Sequence, residues 1–231
     1  MFTESAAGTS ALAELATIVA VADRPVTDSP VLGPCVVGTP VADHWARVEE
    51  RFREWAGRPG LRDRLRAHLR SLPPREQMRM VARSRETTTH FAWCLRDEPA
   101  EPFTFWLHEY KPQRDWRQGY ADSIHNHRYH FCTVLLAGSY LHERFDARLA
   151  PDGGSIVDTT LLRSTEAVEG DAGTMLAHEF HRIPKAADDT LTFLVKSRAV
   201  TPWSLSFDPD TRTSHRHVPV ESRLEELTNT L

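Results

Sequence analysis

The sequence is poor in cysteine and has no long hydrophobic run. Its three cysteines, Cys35, Cys94 and Cys132, are an odd number at no metal-ligand spacing, which argues against a disulfide framework and against a CxxC zinc site. The first 22 residues contain Glu4 and Glu14 but no basic residue, and the mostly apolar run 15–22 is too short to span a bilayer. We therefore expect a cytoplasmic protein with no signal peptide and no membrane anchor.

Lysine is also scarce, since only Lys111, Lys185 and Lys196 stand among the 28 basic residues. Against 32 acidic residues the formal net charge is -4, and no basic block forms a stripe for nucleic acid, so no nucleic-acid partner is predicted. The 231 residues are 40% hydrophobic and 26% charged, which is typical of one large or two small globular domains. Histidine, with 12 residues, is unusually frequent.

The first third of the chain has helical periodicity. Residues 11–22 form a predicted short helix, and the Pro- and Gly-punctuated residues 25–40 are expected to run over the surface. In residues 43–55 the apolar side chains recur at three and four positions, as one face of a helix requires: Trp45, Val48, Phe52 and Trp55. Residues 61–72 and 75–83 predict two further helices.

After about residue 86 the apolar period changes to two. Short predicted strands separated by turn residues cover 88–95, 103–110, 127–136, 139–147, 156–162, 173–177, 190–195, 204–207 and 215–220. Short strands with no helices between them predict a mainly β fold, an antiparallel sandwich or barrel. We expect a helical segment 1–85 that packs on the barrel, a β-barrel over 86–220, and a helix or tail over 221–231.

One segment of the β part concentrates the histidines. His125 and His127 are two apart, so in a strand both imidazoles point to the same face and form half of a metal site. A His-x-His pair alone is a weak signal, and His215 and His217 repeat it near the C-terminus.

The surroundings of the first pair resemble the two motifs of the cupin superfamily. The first motif, a glycine, a His-x-His pair and a second glycine at set spacings, matches Gly119, His125, His127 and Gly138. The second, a Gly-Asp turn followed by a histidine about eleven positions after the glycine, matches Gly170, Asp171 and His181. The resemblance covers roughly residues 86–220 and implies a jelly-roll β-barrel with the metal ligands His125, His127 and His181.

The site departs from the general cupin pattern at the usual glutamate, where Phe131 stands with its ring expected to point inward. The resulting three-histidine site resembles the thiol dioxygenases, of which cysteine dioxygenase is a member. Helices before the barrel are a further shared feature.

That resemblance fails where thiol chemistry is specified. The cysteine that forms a crosslink in mammalian-type members is replaced by Phe131, with Cys132 one residue later and expected on the outer sheet face. The Ser-x-His-x-Tyr strand of the family is replaced by the sequence around Phe193, Val195 and Ser197. The resemblance also implies an arginine near the first strand that binds the substrate carboxylate. Arg83, Arg85 and His90 lie nearby, but none aligns cleanly with that position. The metal ligands are therefore carried over, and the cysteine substrate is not.

Three neutral imidazoles leave the charge of a ferrous ion uncompensated and leave coordination positions open, which favours a small anionic chelating substrate and O2. The leading hypothesis is a mononuclear Fe(II) cupin that oxidises such a metabolite, for example a thiol or amino-acid derivative, in a dioxygenase-type reaction. A non-oxidative cupin isomerase, cyclase or lyase with Zn, Mn or Ni is the first alternative, and a non-catalytic ligand-binding cupin is the second. By analogy with cupins, the protein is expected to form a homodimer.

Two residues are predicted to act beside the metal. Tyr129 shares the strand parity of the ligand pair, and His178 lies three positions before His181 in an expected turn, as a substrate contact or rim residue. His130 has the opposite parity and is expected to be exposed. Five strand aromatics are expected in the core and not in a pocket: Trp93, Phe103, Phe105, Trp106 and Trp203.

Overall fold

The structure, a computed structural model, describes residues 11–22, 40–219 and 223–230. The helices in these ranges are α1 Ala11–Ala22, α2 Pro40–Ala56, α3 Leu61–Ser71, α4 Pro74–Arg83 and α5 Leu224–Thr230. They confirm the predicted helices to within a few residues. Residues 25–39 of the stretch predicted to cover the surface lie outside the described residues. None of the described helices has the length and apolar character needed to cross a membrane.

The strands form two antiparallel sheets of six strands each. In chain order they are β1 Arg85–Glu86, β2 His90–Arg96, β3 Phe103–Tyr110, β4 Ile124–His125, β5 Phe131–Ala137, β6 Ser139–Leu149, β7 Ile156–Val168, β8 Ala172–Met175, β9 Phe180–Ala186, β10 Leu191–Ser197, β11 Ser204–Asp208 and β12 Thr213–His217. The first sheet has the order β1-β2-β3-β10-β5-β8 and the second β12-β11-β4-β9-β6-β7. The predicted fold class is confirmed: the described residues form a mainly β fold of two antiparallel sheets, as in a jelly-roll barrel, that follows a helical N-terminal part.

The helices bury the outer face of the first sheet. The predicted stripe of α2 is confirmed, because Trp45, Val48, Phe52 and Trp55 are all buried. The ring of Phe193 on β10 lies 6.2 Å from that of Phe52 and 5.6 Å from that of Trp55, between ring centroids. Burying each such side chain contributes about 1.5–3 kcal/mol, so this contact fixes which face of β10 points outward.

Because side chains alternate along a strand, β10 presents its other residues to the barrel interior. Phe193 and Val195 pack in the core under the helices, whereas Thr192, Leu194 and Lys196 line the interior cavity. The same alternation confirms the outward position of Cys132, which is fully buried on the helix side.

The strand predictions were wrong in two places around the site. The single strand predicted over 127–136 is divided, with β4 ending at His125, β5 beginning at Phe131 and an irregular segment between them. The segment around His181, predicted as a turn, forms strand β9. The sequence of β9 shows no apolar alternation, because polar residues and a proline occur within 182–185. Pairing with β4 and β6 is what makes this segment a strand.

His130 corrects a further expectation, since it is buried and not exposed. The backbone N–H of Ala177 donates to its Nδ1 over 2.9 Å, and its ring lies 5.4 Å from that of Trp45. Strand parity predicted the wrong exposure for two reasons: His130 lies before the regular strand β5 begins, and α2 covers that side of the sheet.

Candidate metal centre

The fold brings the three predicted ligands together inside the barrel. His125 on β4 is the cross-strand partner of His181 on β9, and His127 follows β4 by two residues. Their ligand atoms all lie within 4.8 Å of one another, and the Nε2 atoms of His127 and His181 are 2.9 Å apart. Two nitrogens that bind one ion at about 2.1 Å and at right angles are about 3 Å apart, so this spacing fits a metal centre.

Hydrogen bonds on the far side of the rings orient two of these ligands. Nδ1–H of His125 donates to the carbonyl oxygen of Ser123 over 2.8 Å, which leaves its Nε2 lone pair free. Nδ1 of His181 lies 3.0 Å from Nε2 of His142 on β6. In the tautomer with the proton on Nδ1, His181 donates to His142 and its Nε2 is also free to bind a metal.

The three imidazoles are held in the neutral form that binds metals. Burial lowers the pKa of His125 to about 4. Burial is also the main cause that keeps the pKa values of His127 and His181 well below the ordinary value, and the neighbouring imidazoles add to it. The ring of Phe131 lies 5.0 Å from that of His127, between centroids, on the inner side as predicted. A phenyl ring therefore stands where a carboxylate would compensate the metal charge.

The ligands open into a cavity of about 920 Å³. Its lining includes five Arg or Lys residues against two acidic ones, Glu86 and Asp171. Glu86 already accepts hydrogen bonds from Lys111 and Arg117. Arg117 pairs with Glu86 and Arg144 with Glu179, so the excess positive charge of the cavity comes from Arg85 and Arg163, within a chain of net charge -4.

The structure places the two other predicted site residues differently from each other. Tyr129 lines the cavity, and its ring stacks on that of His127 with 5.1 Å between centroids. His178 is exposed in the turn between β8 and β9 and does not line the cavity, so the geometry gives it no contact with the metal ligands. None of the five aromatics expected in the core lines the cavity, although Trp203 is partly exposed.

Sequence reasoning missed His142 and Lys196, both of which line the cavity. The positions assigned to the family's Ser-x-His-x-Tyr strand were also wrong, because Phe193 and Val195 face the helices. The alternation of side chains along β10 could have identified Lys196, because Val195 next to it faces the helices and Lys196 must then face the cavity. On β6, His142 shares a face with Tyr140 and Arg144, which also line the cavity.

No family model matches the chain, and no curated protein matches it. Solved structures that are similar include oxalate decarboxylase of Bacillus subtilis, a protein with Mn(II) centres, at 17% identity and a TM-score of 0.36. That alignment covers 64% of this chain and 36% of the other, so the chain spans little more than a third of the decarboxylase.

Two other structures show similarly low similarity. A putative sugar phosphate isomerase from Acidithiobacillus ferrooxidans is 11% identical with a TM-score of 0.39, over 66% of this chain and 93% of that one. KdgF from Halomonas sp. is 11% identical with a TM-score of 0.33, over 49% and 85% of the two chains. The description of this chain rests on its own two antiparallel sheets and on the histidine group that forms a candidate metal site.

Proposed function

We propose that the protein is a metal-dependent cupin enzyme that acts on a small anionic metabolite, with O2-dependent oxidation as its chemistry. The observation that carries the proposal is the donor set. His125, His127 and His181 are three neutral ligands with Phe131 in place of a carboxylate, and they open into an electropositive cavity. A divalent ion held there keeps its full charge and attracts an anionic ligand.

Different residues around such a centre would orient a ligand, exclude water and bind the substrate. When bound, a ferrous ion would supply redox chemistry and open positions for substrate and O2, whereas Zn, Mn or Ni would supply Lewis-acid chemistry. His142 orients His181, and Phe131 keeps one side of the site free of water. Arg85 forms no ion pair with any described residue, which leaves its guanidinium to bind the anionic group of a substrate.

Non-oxidative chemistry, such as isomerisation, is the second candidate, and the pair formed by Lys196 and His108 favours it. Nζ of Lys196 lies 3.2 Å from Nε2 of His108 in the same cavity. Such a pair can move a proton to or from a substrate without O2. The resemblance to thiol dioxygenases favours oxidation, and the basic pair favours proton transfer.

The first test measures metal content together with O2 dependence. Protein from iron-supplemented cells should contain about one ion per chain, and His127→Ala should lose it while the fold is retained. The matched control is His215→Ala, which removes an exposed histidine from the other His-x-His pair. A folded wild-type protein that takes up no metal would contradict the proposal.

The chemistry is then assigned by an O2-uptake screen of thiols, amino acids and diketones. The oxidative proposal predicts O2 consumption that His127→Ala abolishes and His215→Ala leaves intact. Full turnover under strict anaerobiosis would select the non-oxidative candidate instead.

A further inference from the structure

Lys196 is an unusual group within the cavity. Its side chain is 3% exposed and lies against two aromatic rings, with Nζ 4.4 Å from the ring centroid of Trp106 and 5.1 Å from that of Tyr129. Nε2 of His108 lies 3.2 Å from Nζ, within hydrogen-bonding distance. The amine is thus covered by the protein and faces the space in which a ligand of the metal centre would lie.

Lys196 also lacks the counter-charge that a buried lysine ordinarily has. Lys111 shows the ordinary arrangement. It is also buried, but its Nζ lies 2.5 Å from Oε1 of Glu86 and 2.6 Å from the carbonyl oxygen of Thr87. Among the described residues, no carboxylate pairs with Lys196. The charge that most affects the amine of Lys196 is that of Arg85. The Arg85 guanidinium lies over the same Trp106 ring, 5.1 Å from its centroid.

These surroundings favour the neutral amine. The titratable groups around Lys196 include Arg85 on β1, His90 and Cys94 on β2, His108 on β3, and Tyr129 between β4 and β5. Burial, and then the charge of Arg85, hold the pKa of Lys196 well below its ordinary value, and Cys94 opposes this only in part. A lysine that is desolvated beside another cation keeps a free lone pair and is a nucleophile.

We propose that Lys196 captures a carbonyl compound: its ε-amine forms an imine with a small aldehyde or 2-oxo acid bound in the cavity. The Nζ lone pair attacks the carbonyl carbon and forms a C–N bond, and one proton of Nζ passes through Nε2 of His108 to the carbonyl oxygen, which gives a carbinolamine. The second proton of Nζ then passes to the hydroxyl group by the same route, the C–O bond breaks, and water leaves as the C=N bond forms. Amine and carbonyl therefore give imine and water, with no change of oxidation state.

The surrounding residues fit such a substrate. The rings of Trp106 and Tyr129 exclude water from the amine, which protects an imine from hydrolysis. Arg85 supplies a cation for the carboxylate of a 2-oxo acid. This inference goes beyond the function proposed above, because the imine forms on the amine whether or not the three histidines hold a metal.

The scarcity of lysine makes the test direct. The full-length protein is incubated at pH 7 with glyoxylate and sodium cyanoborohydride, which reduces an imine to carboxymethyl-lysine, and the three lysines are quantified by peptide mass spectrometry. Lys185 is exposed and serves as the internal standard, and Lys111 is the buried, ion-paired standard. Lys196 should be modified at least about tenfold faster than Lys185, because an ordinary lysine amine is almost fully protonated at this pH.

The comparison of modification rates among the three lysines uses the wild-type protein. It therefore tests the proposal even if substitutions at position 196 unfold the protein. Modification of Lys196 no faster than that of Lys185 overturns the proposal. Lys196→Arg should lose the fast adduct and the matched control Lys185→Arg should keep it. Repeating the reaction on chelator-treated protein separates the two proposals, because the adduct should form equally fast there even if the metal-dependent function is disproved.

Discussion

At the scale of single residues, His142 shows how a side chain can serve a metal centre without binding the ion. Its Nε2 contacts Nδ1 of His181 at 3.0 Å, and its ring lies 5.1 Å from the ring of His181, between centroids. Burial, followed by the charge of Arg144, lowers the pKa of His142 to about 4, so it is neutral at neutral pH, and in the tautomer with its proton on Nδ1 its Nε2 accepts from Nδ1–H of His181. An acceptor at this place fixes the tautomer of His181 that binds a metal.

Replacing His142 should therefore weaken metal binding more than it weakens the fold. We expect His142→Ala to raise the dissociation constant of the metal about 10- to 100-fold, as loss of an outer hydrogen bond does elsewhere. The measurement is competition with a chromogenic chelator, and urea unfolding of the metal-free protein reports the structural effect. His142→Gln, which restores an acceptor, should recover part of the affinity. Unchanged affinity in His142→Ala would show that His181 is oriented without this contact.

The residues of the site differ in how well the sequence predicts them. His125 and His127 were predicted from their spacing of two, and His181 from the resemblance of its segment to the second cupin motif. His142 and Lys196 depend on partners 39 and 88 positions away, His181 and His108. No local pattern encodes such contacts, so they emerge only when the sheets are paired.

At the scale of elements, the connection between β5 and β6 ties the two sheets together through one glycine. Gly138 has a φ of 76°, a conformation that L side chains rarely adopt. A Cβ at this position would lie 2.9 Å from Cα of Thr190 and closer still to its hydroxyl oxygen. That hydroxyl donates to the carbonyl oxygen of Ser139 over 3.0 Å or to that of Ala187 over 2.7 Å, so it has no room to move away.

Gly138→Ala should consequently lower the free energy of unfolding by about 2–4 kcal/mol, the sum of the left-handed backbone cost and overpacking. Gly153→Ala is a matched control, since Gly153 has a φ of 65° with nothing near its Cβ position. That control should lose only the backbone part, about 1–2 kcal/mol. Urea unfolding of the metal-free proteins measures both, and equal losses would rule out the steric contribution of Thr190.

The prediction of elements succeeded where one face is apolar and failed where pairing decides. The stripe of α2 is visible in the sequence and agrees with the structure, and the strand predicted over 103–110 coincides with β3. Strand β9 contains Pro184 and Lys185, and β4 has only two residues, so neither carries a readable period. Both strands hold metal ligands, which means that local periodicity is weakest at the site itself.

At the scale of the whole molecule, the barrel buries several imidazoles whose pKa values are lowered mainly by burial. Burial is the main cause that lowers the pKa of His90 to about 3, and His125 and His142 follow at about 4. In the unfolded chain these groups return to about 6.5. Between about pH 6.5 and about pH 3 the unfolded state therefore binds more protons than the folded state, and stability must decrease as the pH falls through this window.

Metal-free protein should accordingly be much less stable to urea at pH 5.5 than at pH 7.5. A single histidine of this kind contributes about 1.4 kcal/mol to that difference, because the unfolded chain takes up nearly one proton in the interval. His90→Gln should therefore reduce the pH dependence by about 1.4 kcal/mol, whatever it does to stability at pH 7.5. His178→Ala, which removes an exposed imidazole, is the control variant. If His90→Gln and wild type lost equal stability on acidification, His90 would already be protonated or exposed in the folded barrel, and the desolvated wall of neutral groups formed by His90, His108 and Lys196 would not exist in solution.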